Sequence, residues 1–208
     1  HQTADNIETV LSTGSFKIKG FTFSGEPPLP HLTKDGQSIN VGGLIWLPEE
    51  DIVQLNVKEL NFNKKRRGKK TVTEDSGEIP INLSKRMLAG KVGEIFDLTG
   101  KVTPLVAHFK LDLRKITKLN LGWDNAIPDE FRACWTSHFE MMKEMKNLKY
   151  KRAVVPVDAV SLEINTVDFG DASKDLACSA IYVRFLRKNG EYSCQLIFAR
   201  SKVMPEQS

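Results

Sequence analysis

The chain has 208 residues, 40% hydrophobic and 27% charged, with a net charge of +4 and three cysteines. That is material for one large or two small domains around a buried core, in the composition of a globular protein rather than a disordered or fibrous one. No apolar run nears the roughly 20 residues that span a bilayer, and the cysteines are too few and too scattered for a disulfide framework.

Residues His1 to Asp5 have neither an initiator Met nor the basic-then-apolar pattern of a signal peptide, so the chain is expected to be internal to a longer polypeptide. Phe16 to Phe23 alternates apolar and polar residues and predicts a strand, ended by the Pro-rich stretch Glu26 to Pro30. Gly42-Gly43-Leu44-Ile45-Trp46-Leu47 predicts a second strand, turning at Pro48 to Asp51 into a partner around Ile52, Leu55 and Val57. The densest charge follows, Lys64-Lys65-Arg66-Arg67-Gly68-Lys69-Lys70. Such a run is either a solvated loop or a contact for a phosphate backbone or the nuclear-import machinery.

From Asn82 the period becomes helical. Leu83, Met87, Leu88, Val92, Ile95 and Phe96 form an apolar stripe, with Lys85, Arg86 and Lys91 off it, and Asp97 to Gly100 closes the helix. Thr103 is placed to cap the next helix and Pro104 suits its first turn. Leu105, Phe109, Leu113 and Ile116 make its buried stripe, while Lys110, Arg114 and Lys118, four residues apart, line another face. By spacing alone that row fits a nucleic-acid backbone or an ordinary solvated face. Leu121 to Asn125 breaks the pattern, and a third helix starts near Pro128-Asp129-Glu130 with the stripe Phe131, Trp135, Phe139, Met142 and Met145.

After Pro156 the chain predicts an antiparallel meander with strands Ser161–Gly170, Ala177–Leu186 and Tyr192–Ala199. A two-residue turn at Asn189-Gly190 sets Phe185 opposite Cys194, which leaves Cys178 out of bridging reach. Reduced thiols and an intracellular setting follow. The histidines (His1, His31, His108, His138) form no metal-ligand spacing with the cysteines, which argues against structural zinc. Asp171 leaves the first strand of the meander, where a carboxylate is held rigidly enough to bind a hard divalent cation. By composition alone it is more often a solvated turn residue, and one carboxylate does not make a site. Asp75-Ser76-Gly77 has the letters of an aspartic peptidase, but the polar Thr73, Glu74 and Glu78 deny it the shielded apolar setting of a carboxylate dyad. No nucleophile elbow and no phosphate-binding glycine loop occurs.

Five strings in order resemble one family: Gly43 to Trp46 with its Pro48–Asp51 turn, Gly93 to Pro104, Leu121 to Asp124, Ile127 to Glu130, and Phe169 to Ser173. Together they resemble the polymerase-to-ribonuclease H portion of Bel/Pao-class retrotransposon polyproteins, from about Gly14 to Pro205. The resemblance implies an α+β chain in three parts. Residues 1–80 would be the end of a polymerase palm, with a primer-grip-like hairpin and the basic loop. Residues 81–152 would be a helical thumb and connection, and residues 153–208 a three-stranded meander forming the first half of a ribonuclease H fold. Gly42, Gly43 and Trp46 would then approach the primer, and Lys85, Arg86, Lys91, Lys110, Arg114 and Lys118 would follow the duplex backbone. Asp171 would be the first catalytic, metal-binding carboxylate.

The implied parent activity is RNA-directed DNA synthesis and cleavage of RNA–DNA hybrid. Its partners are primer–template or hybrid duplex and the rest of the polyprotein, with no membrane. Mg2+ serves the intact parent and is not expected to be held firmly by this chain. The implied setting is the cytoplasmic virus-like particle, with possible nuclear access. The polymerase's Tyr-x-Asp-Asp motif, expected before Gly14, and the second nuclease carboxylate, expected just after Pro205, do not occur, so the chain alone is expected to be inactive. Similar segments sometimes bear the name of a Pao retrotransposon peptidase, although the peptidase of such elements lies elsewhere in the polyprotein. The alternatives are a domesticated, non-catalytic nucleic-acid-binding protein and, more remotely, an aspartic peptidase.

Overall fold

A computed structural model of the chain describes residues 2–62, 78–160 and 165–205. The basic run Lys64–Lys70 and the Asp75-Ser76-Gly77 string lie outside the described residues. The described residues fall into two compact units, His1–Gln54 with Lys149–Ala153, and Leu55–Leu148 with Val154–Ser208.

The first unit opens with helix α1 (Gln2–Thr13), for which the sequence predicts no element. Its apolar residues are few, and Ile7, Val10 and Leu11 all remain exposed, so no buried stripe announces it. The expected strand at Phe16–Phe23 does not form. The run joins no ladder; Gly20 lies close to Leu29, His31 and Leu32, and the Phe21 and Phe23 rings stack. A nitrogen of the His31 ring lies 2.6 Å from the Lys19 carbonyl oxygen. Four strands make the sheet, β1 (Ile39–Val41), β2 (Leu44–Leu47), β3 (Ile52–Leu55) and β4 (Lys149–Lys151), in that spatial order.

Gly42 and Gly43 are not the start of β2. They form the two-residue turn between β1 and β2, with Val41 opposite Leu44 and φ values of 55° and 79°. Two consecutive left-handed residues fit the right-handed twist of the strands, and glycine takes that conformation without strain. Lys149–Lys151 pairs with β3, with Val53 opposite Tyr150.

The second unit carries the three expected helices. They are α2 (Lys85–Gly93), α3 (Thr103–Thr117) and α4 (Asp129–Glu144). The core is built where their stripes meet, and Leu88, Phe109, Ile116, Trp135 and Phe139 are fully buried. Burying each is worth about 1.5–3 kcal/mol against leaving it in water. Phe62 meets Phe139 edge-on with ring centroids 5.0 Å apart. The entry to α3 differs from expectation, because Thr103 does not cap it. The Asp97 carboxylate accepts the backbone N–H groups of Gly100, Lys101 and Val102 at 2.7–3.0 Å, satisfying donors at the helix entry with a charged acceptor.

The meander follows as β5 (Asn165–Ala172), β6 (Leu176–Leu186) and β7 (Tyr192–Val203), antiparallel and in the order β5-β6-β7. The β6–β7 turn has three residues, not two. Leu186 pairs with Tyr192, Arg187 N–H and Glu191 carbonyl bond at 2.9 Å, and Gly190 takes φ 83°. A third turn residue in the left-handed region is the alternative to a two-residue turn, and it slips the register by one. Cys194 therefore faces Arg184 instead of Phe185, and Cys178 faces Ser201. All three cysteines are free. A bulge at Ile197 shifts the pairing again, from Ile181–Phe198 to Tyr182–Leu196.

The outer edge of β7 is covered by the turn leading into α3. Ala199 N–H donates to the Thr99 carbonyl at 3.0 Å, and Ala199 carbonyl accepts from Thr103 Oγ1 at 3.2 Å. The Leu196 carbonyl accepts from Lys101 Nζ at 2.7 Å, and burial lowers the pKa of that ammonium against the opposing pull of Asp97. Gly100, φ 79°, has no room for a side chain there, since a Cβ would lie 2.1 Å from the Ala199 carbonyl oxygen. The β5 side is different. All eight β5 residues are exposed, including Phe169 at 60%.

Candidate functional site

Asp171 is the last residue but one of β5 and is exposed. Its Oδ1 accepts the N–H of Ala172 at 2.8 Å. The turn beyond is closed by Ser173, whose N–H donates to the Leu176 carbonyl at 2.8 Å. Across the ladder Asp171 faces Cys178, and Cys178 faces Ser201, so the three share one face of the sheet.

Cys178 and Ser201 also line a broad open groove of about 1040 Å³. Its other walls are the Ile95–Leu98 loop, the Thr103, Val106 and Lys110 side of α3, and β7 from Phe198 to Val203. Thr103, Val106 and Lys110 are spaced three and four apart, so one helix face supplies them. Arg200 and Lys202 join Lys110 in that lining, which gives the groove three cations and, from Asp97, one carboxylate. That carboxylate is already engaged by three backbone N–H groups. The groove stops at β6, one strand short of Asp171.

The expected cationic residues separate under this geometry. Lys110 is exposed at the groove and has no ion pair among the described residues. Arg114 is mostly covered, and its Nη1 lies 3.3 Å from the Asp175 carbonyl oxygen and 3.5 Å from Oδ1 in the β5–β6 turn. Lys118 is exposed near the end of α3. Lys85 and Lys91 are buried. Lys91 Nζ reaches both oxygens of Glu94 at 3.0 Å and lies over the Phe62 ring, and Lys85 Nζ lies 5.8 Å from the centre of the Trp123 ring. Arg86 is exposed and holds Asp124 through two bonds of 2.9 and 3.2 Å, a carboxylate that raises its pKa further. Lys85 and Arg86 thus bind the α3–α4 connection and Lys91 binds Glu94 and Phe62, while Lys110 faces the groove with Arg200 and Lys202, two residues the sequence reading passed over. Their signal was the alternation Arg200-Ser201-Lys202, which sets both cations on one face of β7.

In the first unit Trp46 braces the hairpin. Its Nε1 donates to Asp51 Oδ1 at 3.1 Å, and the Arg152 guanidinium lies 5.3 Å from its ring centre. Arg152 also grips Asp51 through Nε at 2.6 Å and Nη2 at 3.2 Å, and Ser24 Oγ adds a bond of 2.8 Å. Hydrogen bonds from Arg152, above all, hold the Asp51 carboxyl below its ordinary range, against the opposing effect of burial. Gly42 and Gly43 lie at the other end of β2, in the β1–β2 turn.

Among the described residues the group of potential metal ligands lies not at Asp171 but between α3 and α4, at His108, Asp112 and His138. Asp112 and His138 are buried, and His138 Nε2 lies 2.8 Å from Asp112 Oδ2. Cys134 Sγ is 3.4 Å from both of those atoms, His108 Nε2 is 3.6 Å from Oδ2, and Lys115 Nζ holds Oδ1 at 2.6 Å. Burial works to raise the Asp112 pKa, but bonds from Lys115, His138 and Cys134 prevail and lower it. Burial and the Asp112 charge push the Cys134 thiol up. The spacing that encodes this cluster is His108-x3-Asp112 on one helix and Cys134-x3-His138 on the next. Contrary to the expectation that no histidine stands at ligand spacing from a cysteine, Cys134-x3-His138 is such a pair, one helical turn apart on α4.

Fold and site together define a class, a mixed helical and antiparallel-sheet protein with a cationic groove against its sheet and a strand-end carboxylate one strand beyond it. Residues 84–208 match the family described as Pao retrotransposon-like RNaseH-like domain, and the chain belongs to that family. The match begins one residue before α2 and so takes in the three helices as well as the meander. No curated protein and no solved structure shows significant similarity to the chain. Membership identifies the ribonuclease H region of a Bel/Pao-class retrotransposon and ties the chain to nucleic-acid chemistry. No helix among the described residues is long and apolar enough to cross a membrane.

Proposed function

We propose that this chain is the stretch of a retroelement reverse transcriptase–ribonuclease H that holds primer–template or hybrid duplex across the junction of the two activities. The β2–β3 hairpin is the primer-grip-like part within residues 1–80, α2 to α4 are the thumb and connection within 81–152, and β5 to β7 open the nuclease within 153–208. The observation that carries this reading is the antiparallel β5-β6-β7 meander with Asp171 near the end of β5, inside the residues that match the family. The fully exposed β5 supports it too, because a strand with both faces and one edge open is an interior strand waiting for cover.

The hybrid lies along the groove of Lys110, Arg200 and Lys202. These contacts read backbone charge and shape, not sequence. Mg2+ belongs to the intact parent. Among the described residues Asp171 belongs to no group of three candidate ligands and spends one oxygen on a backbone N–H. Other carboxylates of the parent must complete that site, and the chain alone is expected to bind and not to cut.

The test compares two proteins in Mg2+ with a labelled RNA–DNA hybrid. The isolated chain should leave the RNA intact. A longer polyprotein that carries this segment with its natural flanks should cleave it and lose that cleavage on Asp171→Asn without losing hybrid affinity. Cleavage by the isolated chain, or by the Asp171→Asn polyprotein, contradicts the proposal.

A further inference from the structure

The side chains between α3 and α4 are arranged as a ligand set. His108 and Asp112 are one helical turn apart on α3, Cys134 and His138 one turn apart on α4, and the fold brings the two pairs face to face. Four distances describe the cluster: 2.8 Å for His138 Nε2 to Asp112 Oδ2, 3.4 Å for Cys134 Sγ to each of those atoms, and 3.6 Å for His108 Nε2 to Oδ2; the His108, Asp112 and His138 ligand atoms all lie within 4.8 Å of one another. A tetrahedral zinc ion, with bonds of about 2.0–2.3 Å, holds its ligand atoms about 3.3–3.7 Å apart. Three of the four distances fall in that range and the fourth, His138 Nε2 to Asp112 Oδ2, is shorter.

Three further features point the same way. One carboxylate oxygen, Asp112 Oδ2, is the common target of a thiol and two imidazoles, a crowding that a central cation relieves by replacing shared protons. Its other oxygen is held by Lys115, which fixes the carboxylate plane and leaves Oδ2 for the ion. His108 and Cys134 are exposed and leave a route by which an ion enters.

We propose that His108, Asp112, Cys134 and His138 bind one divalent transition metal ion of the zinc type, pinning α3 to α4. One thiolate, two imidazoles and a carboxylate select a borderline-soft ion, not Mg2+. On binding, the thiol gives up its proton to solvent, and the thiolate and carboxylate balance the charge of the ion. The site sits away from the Lys110 groove in role and chemistry, so it stands or falls independently of the proposed nucleic-acid function.

The test is a titration of the metal-stripped chain with Co2+ and then Zn2+. One Co2+ per chain should bind, with the visible absorption of a tetrahedral centre and a thiolate-to-cobalt charge-transfer band, and Zn2+ should bleach both while raising Tm. Cys134→Ser should abolish the charge-transfer band, His108→Ala should weaken binding at least about tenfold, and Cys178→Ser, on β6, should change neither. Both informative substitutions are at exposed residues, so folding survives them and can be checked by circular dichroism. A wild-type chain without the band, or a band that survives Cys134→Ser, overturns the proposal.

Discussion

Asp51 occupies a left-handed turn position, φ 52°, that a non-glycine residue holds only where its surroundings compensate. The compensation is its carboxylate, bound by Ser24, Trp46 and Arg152 at 2.6–3.2 Å. Because the folded-state pKa lies below the ordinary value of about 3.9, the ionised group stabilises the fold above that value. The contribution is lost as pH falls through the folded pKa. Asp51→Asn should therefore lower stability at pH 7 by about 1–2 kcal/mol and flatten the acid limb of the stability curve. Urea denaturation at a series of pH values measures both, and an acid limb as steep as that of wild type would show that Asp51 is not responsible. Trp46 was legible in the sequence as part of a hairpin strand. Its partner was not, because Arg152 is 101 residues from Asp51 and no local pattern encodes that separation.

At the scale of elements, apolar period was the readable signal. The three helices stand where periodicity puts them, since each buries an apolar stripe, and β6 buries Val183 and Phe185, while β5 forms with all its residues exposed. Elements held by pairing rather than by a stripe were not readable. Phe16–Phe23 alternates but finds no ladder, while Lys149–Lys151 carries charge at both ends and becomes a strand because β3 offers an edge. The cap of α3 was misassigned for a similar reason. Thr103 has the right chemistry, but its hydroxyl is drawn to β7, and Asp97 reaches the helix from six residues earlier. Asp97→Ala should then cost about 1–2 kcal/mol. Gly100→Ala should cost more, because it meets both a left-handed φ and the Ala199 backbone. Thermal denaturation ranks the two, and a Gly100→Ala protein as stable as wild type would mean that the turn does not press against β7.

For the whole molecule, the sequence exposed the composition of the site and hid its assembly. Summed charge and helical spacing singled out six lysines and arginines, but burial and ion pairing assign Lys85, Arg86, Lys91 and Arg114 to internal contacts. Lys110 keeps the expected character and acquires Arg200 and Lys202 as neighbours across the groove, a juxtaposition made only by packing α3 against the edge of β7. In the proposed function this groove carries the phosphate backbone of a duplex, one strand short of Asp171. The direct measurement is the salt dependence of RNA–DNA hybrid affinity for the wild-type chain and for the combined variant Lys110→Gln, Arg200→Gln, Lys202→Gln. Each phosphate contact removed should take about 0.9 from the slope of log affinity against log salt for a B-form duplex, so the variant should show a slope shallower by about 2 to 3 and weaker binding at low salt. An unchanged slope, with the variant folded, would contradict the assignment of the groove to nucleic acid.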